Sequence, residues 1–152
     1  LHRVSRKIDE GEILYQKSVA ITDSDDIWSL TDTLRAVSTA MSLELFDFIS
    51  LQNALPPSRP QAGTPSVAPR RTPDDGLIDW SWPSRRIFNL VRALRPPLPP
   101  AFWITEDSIK LGVVDCRLSD QDEKPSDMDG WRQADTGDGT VYVLEALTSD
   151  MD

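Results

Sequence analysis

Arg70-Arg71-Thr72-Pro73-Asp74-Asp75-Gly76-Leu77-Ile78-Asp79-Trp80 leads, across Ser81-Trp82-Pro83-Ser84, into Arg85-Arg86-Ile87-Phe88-Asn89-Leu90-Val91-Arg92-Ala93-Leu94. Ordinary composition rarely produces a string this idiosyncratic, and its reading orders the rest of the chain. Ile87, Leu90, Val91 and Leu94 fall at i, i+3, i+4 and i+7, the spacing of one face of a helix. Arg85, Arg86, Asn89, Arg92 and Arg95 take the other faces. Ser81 is the expected N-cap, and Pro83 suits the first turn. The run Pro96-Pro97-Leu98-Pro99-Pro100 ends the helix, because proline lacks the N–H that a helix interior needs.

Residues 53–69 hold five prolines among Ser, Gly, Thr and Gln. This composition predicts an extended, mobile crossing segment. Upstream of it, Thr22-Asp23-Ser24-Asp25-Asp26 offers N-caps for a helix over about 26–50. Ile27, Leu30, Leu34, Val37, Met41, Leu45 and Phe48 form its stripe, which is expected to pack against a sheet. Glu12 to Thr22 alternates, with Ile13, Tyr15, Val19 and Ile21 on one parity, and predicts a half-buried strand. Asp9-Glu10-Gly11 before it is a polar turn.

Downstream of the proline run, Phe102 to Thr105 and Ile109 to Cys116 read as short strands around the turn Glu106-Asp107-Ser108. Gly137-Asp138-Gly139 precedes another strand, Thr140 to Leu147. Residues 119–130 form an acidic, exposed loop. Short strands at this spacing suggest a small β-barrel or sheet.

The 152 residues carry a net charge of −9, unevenly spread. Residues 1–55 carry five basic and nine acidic side chains, residues 56–103 seven and three, and residues 104–152 four and thirteen. The acidic last third argues against a nonspecific nucleic-acid surface there, because phosphate binding rests on clustered Lys and Arg. The single cysteine, Cys116, cannot form an internal disulfide or hold zinc alone, so a reducing, cytoplasmic setting is the default. No apolar run is long enough to span a bilayer. The chain opens in mid-pattern at Leu1 and reads as a piece of a longer protein.

No phosphate-binding glycine loop, metal-ligand cluster or nucleophile triad shows in the spacing. His2 is the one histidine, and a lone histidine is more often a surface or packing residue than a catalyst. Asp9 enters a strand from a loop, where catalytic carboxylates are often placed, although a solvated turn residue is the commoner outcome. Asp138 between two glycines reads as a turn residue. The arginines of the 85–95 helix read as a solvated face.

Three blocks, in order, resemble the folate-dependent formyltransferase family. Leu1-His2-Arg3-Val4 with Ile8-Asp9-Glu10-Gly11-Glu12-Ile13-Leu14 resembles the end of its catalytic domain. Arg70 to Trp80 with Arg92-Ala93 resembles the opening of its C-terminal domain. Thr136-Gly137-Asp138-Gly139 with Leu144-Glu145 resembles that domain's closing strand pair. The resemblance implies a remnant of a Rossmann-like α/β domain (strand plus long helix) in residues 1–52. A proline-rich linker follows in 53–69, and a small OB-like β-barrel in 70–152. It implies 10-formyltetrahydrofolate as formyl donor, with a pocket mostly outside this chain. It also implies Asp9 as the aspartate of a catalytic Asn, His and Asp set. The family's Asn-x-His does not occur here, and His2 does not match it, so the piece alone is expected to be inactive.

The implied acceptor is a primary amine. Arg71-Thr72-Pro73-Asp74-Asp75 resembles the junction of sugar-nucleotide N-formyltransferases, as does the spacing between Leu94 and the Pro97 to Ala101 block. The first expectation is therefore an amino-sugar nucleotide. The alternatives are methionyl-tRNA, echoed by Ala68-Pro69, and a non-catalytic binding module that kept the barrel. Arg71 and Arg92 are the candidate substrate-binding residues. Pro100 and Leu98 depart from the family's glycine and aromatic, so the turn there is expected to differ.

Overall fold

The computed structural model describes residues 1–64, 66–119 and 129–147. Most of the acidic stretch read as a loop, 120–128, lies outside the described residues. The chain divides into two compact units, Leu1–Pro69 and Arg70–Asp152.

The first unit is dominated by helix α1, Ile27–Gln52. Asp26 caps it: its Oδ1 accepts from the amides of Trp28 (2.9 Å) and Ser29 (3.0 Å), while Ser29 Oγ accepts the Asp26 amide. This reciprocal box satisfies amides that the first turn would leave orphaned. Asn53 closes the other end in the left-handed conformation, its amide donating to Ile49 O at 2.8 Å.

The expected strand over 12–22 is absent. Ile13 alone makes β-bridges, to His2 on one side and Arg59 on the other. Backbone that finds no neighbouring ladder cannot persist as a strand, whatever its alternation. The stripe of α1 consequently meets no sheet among the described residues. Ile27, Leu30, Val37, Met41, Leu45 and Phe48 are only half-buried, Leu34 is exposed, and α1 has no buried residue.

The second unit is a four-stranded antiparallel sheet of order β1-β2-β4-β3 with one helix on it. Its strands are β1 (Ala101–Ile104), β2 (Lys110–Leu118), β3 (Trp131–Thr136) and β4 (Gly139–Leu147), and its helix is α2 (Ser84–Ala93). The expected OB-like barrel is not shown: among the described residues β1 and β3 do not pair with each other, and the sheet is not closed. A bulge between Val113 and Asp115 shifts the β2–β4 register. It switches the parity of β2, so that Val113 on one side and Cys116 and Leu118 on the other all face the core. Ile87 and Val91 of α2 are fully buried with Val113, Val141 and Val143, and Phe88, Ile78, Ala101 and Ala134 complete this core.

The opening stretch is stitched into this unit. A 3₁₀ turn, Pro73–Gly76, is held by Asp75, which accepts from the Thr72 amide at 2.6 Å and its hydroxyl at 3.2 Å. These bonds lower the Asp75 pKa. A Cβ on Gly76 would sit 3.2 Å from Pro100 O, so the turn lies against the end of the proline run. Leu77 then bridges Phe102 in parallel, and the Ile78 amide donates to Phe102 O at 2.7 Å.

Ser81 is not the cap of α2. It donates back to Asp79 Oδ1 from its amide (2.9 Å) and hydroxyl (2.6 Å), a local turn that lowers the Asp79 pKa. The helix instead starts after Pro83, and its cap comes from the far end of the sequence. Asp138, at the β3–β4 turn, accepts the Ser84 amide at 2.7 Å, and this bond lowers its pKa. Ser84 Oγ bonds Thr136 Oγ1 at 2.7 Å, and Gly137 N donates to Trp82 O at 2.9 Å. Approach this close requires glycine: a Cβ on Gly137 would lie 2.0 Å from Ser81 O.

Candidate functional site

Asp9 sits at the tip of the loop joining two short paired segments. Leu1–Arg3 and Glu12–Tyr15 run antiparallel, with Arg3 N donating to Glu12 O (2.9 Å) and Leu14 N to Leu1 O (3.0 Å). Gly11 makes this pairing possible. A Cβ there would fall 1.6 Å from Arg3 O and 3.3 Å from His2 Nδ1, which no side chain can do without moving backbone. The glycine of Asp9-Glu10-Gly11 is thus a packing requirement, and it lets the chain fold back beside Asp9.

Asp9 adopts φ 57, in the left-handed region that few non-glycine residues occupy. Its side chain is 85% exposed, so the carboxylate is open to a ligand, and Oδ1 faces His2 Nε2 at 3.6 Å. The other ring nitrogen, Nδ1, is 2.9 Å from Arg3 O. The imidazole is therefore held by backbone on one side and faces the carboxylate on the other. Leu1, His2, Asp9, Ile13, Tyr15, Gln16 and Gln61 line an open cleft of about 300 Å³. An exposed carboxylate beside an imidazole can orient a water or amine and accept a proton.

The segment read as a crossing linker closes the other side of this loop. Ile13 and Arg59 exchange both backbone bonds, at 2.8 and 3.0 Å. Ser58 Oγ donates to Glu12 Oε2 at 2.6 Å, and Arg59 Nη2 donates to Gln16 Oε1. Gln61 Nε2 donates to Asp9 O at 2.6 Å and Gly11 O at 2.7 Å. On sequence alone His2 reads as a surface or packing residue, and nothing singles out Gln61. His2 could have been found from its place opposite Ile13 in the pairing. Nothing in a lone glutamine among prolines signals its role.

Arg71 and Arg92 belong to the second unit. Arg71 is exposed beside the 3₁₀ turn. Arg92 Nε donates to Asn89 Oδ1 at 2.9 Å, and its guanidinium lies 5.1 Å from the Phe88 ring, with that of Arg85 at 5.5 Å. Arg86 stacks on Trp82 at 3.7 Å. The helix thus presents guanidinium groups ordered on aromatic faces. Arg132 is held bidentate by Glu145 (2.7 and 3.0 Å), with Trp103 Nε1 on the same carboxylate at 2.6 Å. Cys116 is a buried core residue, and that burial, aided by the charge of Asp115, pushes its thiol up to about 12. Among the described residues no three His, Cys, Asp or Glu side chains could hold a metal ion, and no helix is long and apolar enough to cross a membrane.

Residues 70–148 match the family described as the formyl transferase C-terminal domain. Over 94 residues the chain is 45% identical to a methionyl-tRNA formyltransferase of Coprothermobacter proteolyticus, covering 62% of this chain and 30% of that protein. It is 34% identical over 104 residues to one from Thermodesulfovibrio yellowstonii, covering 68% and 33%. The chain therefore spans about a third of the length of these curated relatives. Among solved structures, methionyl-tRNA formyltransferase from Clostridium thermocellum matches with a TM-score of 0.54 at 18% identity, covering 80% of this chain and 50% of that one. HypX from Aquifex aeolicus in complex with tetrahydrofolic acid matches with a TM-score of 0.57 at 14% identity, covering 93% and 25%. At these identities the structural matches speak for the fold alone.

Proposed function

The chain belongs to the family of formyltransferase C-terminal domains, and from that premise we propose that it is the C-terminal portion of an enzyme that formylates the amine of methionyl-tRNA. The formyl donor in this reading is 10-formyltetrahydrofolate, bound mostly by residues outside the chain, and the setting is the reducing cytoplasm. The observation that carries the acceptor is the 45% identity to a methionyl-tRNA formyltransferase. It displaces the amino-sugar nucleotide that the Arg71 to Asp75 junction suggested.

In this reading Asp9 is the working carboxylate. Attack of the amine on the formyl carbon builds an oxyanion that nearby donors must stabilise. The amine loses a proton and the folate nitrogen gains one. Asp9, exposed at its loop tip, orients the groups that carry that proton. Arg71 and Arg92 contribute positive charge towards the acceptor's phosphates.

A formyl-transfer assay of the full-length protein on methionyl-tRNA and on amino-sugar nucleotides tests this. Turnover of the tRNA supports the reading, and turnover of the sugar alone overturns it. Asp9→Asn is expected to lower turnover by about 100-fold or more, the scale of a lost acid–base group. Arg71→Ala and Arg92→Ala are expected to weaken tRNA binding and reduce its salt slope by about 1 each.

A further inference from the structure

We infer that Gln61 is a positioning residue for Asp9, so that the proline-rich segment after α1 acts as a clasp on the catalytic loop. The inference rests on the reading of Asp9 as the working carboxylate. Asp9 stands at φ 57, which a non-glycine residue keeps only where its surroundings hold it. The surroundings that hold it are visible. The two protons of the Gln61 carboxamide go to Asp9 O and Gly11 O, at 2.6 and 2.7 Å. One side chain therefore ties both ends of the Asp9-Glu10-Gly11 turn.

The register explains why this residue can do so. Ile13 and Arg59 exchange both backbone bonds. Continuing that antiparallel pairing by two residues sets Gln61 opposite Gly11. The glutamine side chain thus extends the pairing past the point where a backbone ladder stops. Ser58, bonded to Glu12, and Arg59, bonded to Gln16, fix the same segment on either side of Ile13. Asp9 and Gln61 are 52 residues apart in sequence, with all of α1 between them. The carboxylate's direction depends on a residue that touches no reacting atom, and displacement by about 1 Å is enough to cost a catalyst up to 100-fold.

Gln61→Glu keeps the size of the side chain but removes both donors and sets a charge against two carbonyl oxygens. Gln61→Ala removes the side chain without adding charge. In the full-length enzyme both are expected to lower kcat about 10-fold, with KM for each substrate held within about 2-fold. In the 152-residue chain, Gln61→Ala is expected to move the backbone amide resonances of Asp9, Glu10 and Gly11 and to leave those of α1 in place. Wild-type kcat in both variants, with Asp9→Asn inactive, overturns the role of Gln61 and leaves Asp9 standing. Full activity in Asp9→Asn overturns the underlying reading instead. Loss of α1 helicity together with activity makes Gln61 a structural residue and also overturns the inference.

Discussion

The two helices both carry apolar residues at three- and four-residue steps, narrowly on one face in α2 and more diffusely in α1, and they meet opposite fates. Ile87 and Val91 of α2 are fully buried against β2 and β4, whereas no residue of the longer α1 is buried. Gly11 and Pro56 are the only buried positions among the described residues of Leu1–Pro69, and neither has a side chain that could build a core. The first unit leaves Leu43, Phe46 and Leu51 more than half exposed. A stripe announces that a helix wants a partner; it does not supply one. Stability in this chain therefore resides in Arg70–Asp152, while the candidate catalytic loop resides where the core is thinnest.

The largest expected difference follows directly. Ile87→Ala removes a fully buried side chain and leaves a cavity, and is expected to cost about 3 kcal/mol. Leu45→Ala in α1, at a half-buried position, is expected to cost about 1 kcal/mol or less. Urea unfolding can follow the units separately. Four of the five tryptophans, Trp80, Trp82, Trp103 and Trp131, lie in the second unit, so in a Trp28→Phe background fluorescence reports that unit, and the 26 residues of α1 dominate far-UV circular dichroism. Equal losses at the two sites would break the comparison.

A second test uses the two glycines that lie against backbone. Gly137→Ala would place a methyl 2.0 Å from Ser81 O, and Gly11→Ala 1.6 Å from Arg3 O. The first is expected to cost the second unit about 2 kcal/mol, because the β3–β4 turn and the start of α2 are parts of one core. The second is expected to detach Leu1–Arg3 from Glu12–Tyr15 while fluorescence-detected unfolding stays unchanged. A drop in the fluorescence midpoint of Gly11→Ala would show that the units do not unfold independently.

What the sequence disclosed follows the same division. Helix α2, its stripe, the turn at 106–108 and three strand runs were legible because local spacing and later packing agree. The bulge at Val113/Asp115 was not, since it changes which parity of β2 is buried and only the partner strand reveals it. The true cap of α2 was not legible either: Asp138 lies 54 residues from Ser84, and Ser81 satisfied the local rule better. In the first unit the alternation of 12–22 predicted a strand that has no ladder to join. The polar turn at Asp9-Glu10-Gly11 was legible, but the residues that hold it were not, because Gln61 reaches it from 52 residues away, beyond the whole of α1.

The smallest effect is a pH dependence confined to the second unit. Asp138 accepts the Ser84 amide, which lowers its pKa; bonds from the Ser84 and Thr136 hydroxyls act in the same direction. A carboxyl whose pKa is lower in the folded state stabilises that state above its unfolded value, near 3.9, and the gain is lost as pH falls through the folded value. Asp79 and Asp75, lowered by Ser81 and Thr72, act with the same sign. Asp138→Asn keeps an acceptor for Ser84 but no charge at the helix start. It is expected to lower the fluorescence-detected Tm by a few degrees at pH 7. The difference from wild type should shrink as pH falls below about 4, where the wild-type carboxyl also becomes neutral. A gap that stays constant down to pH 2 would mean that Asp138 holds the helix through its shape and not its charge.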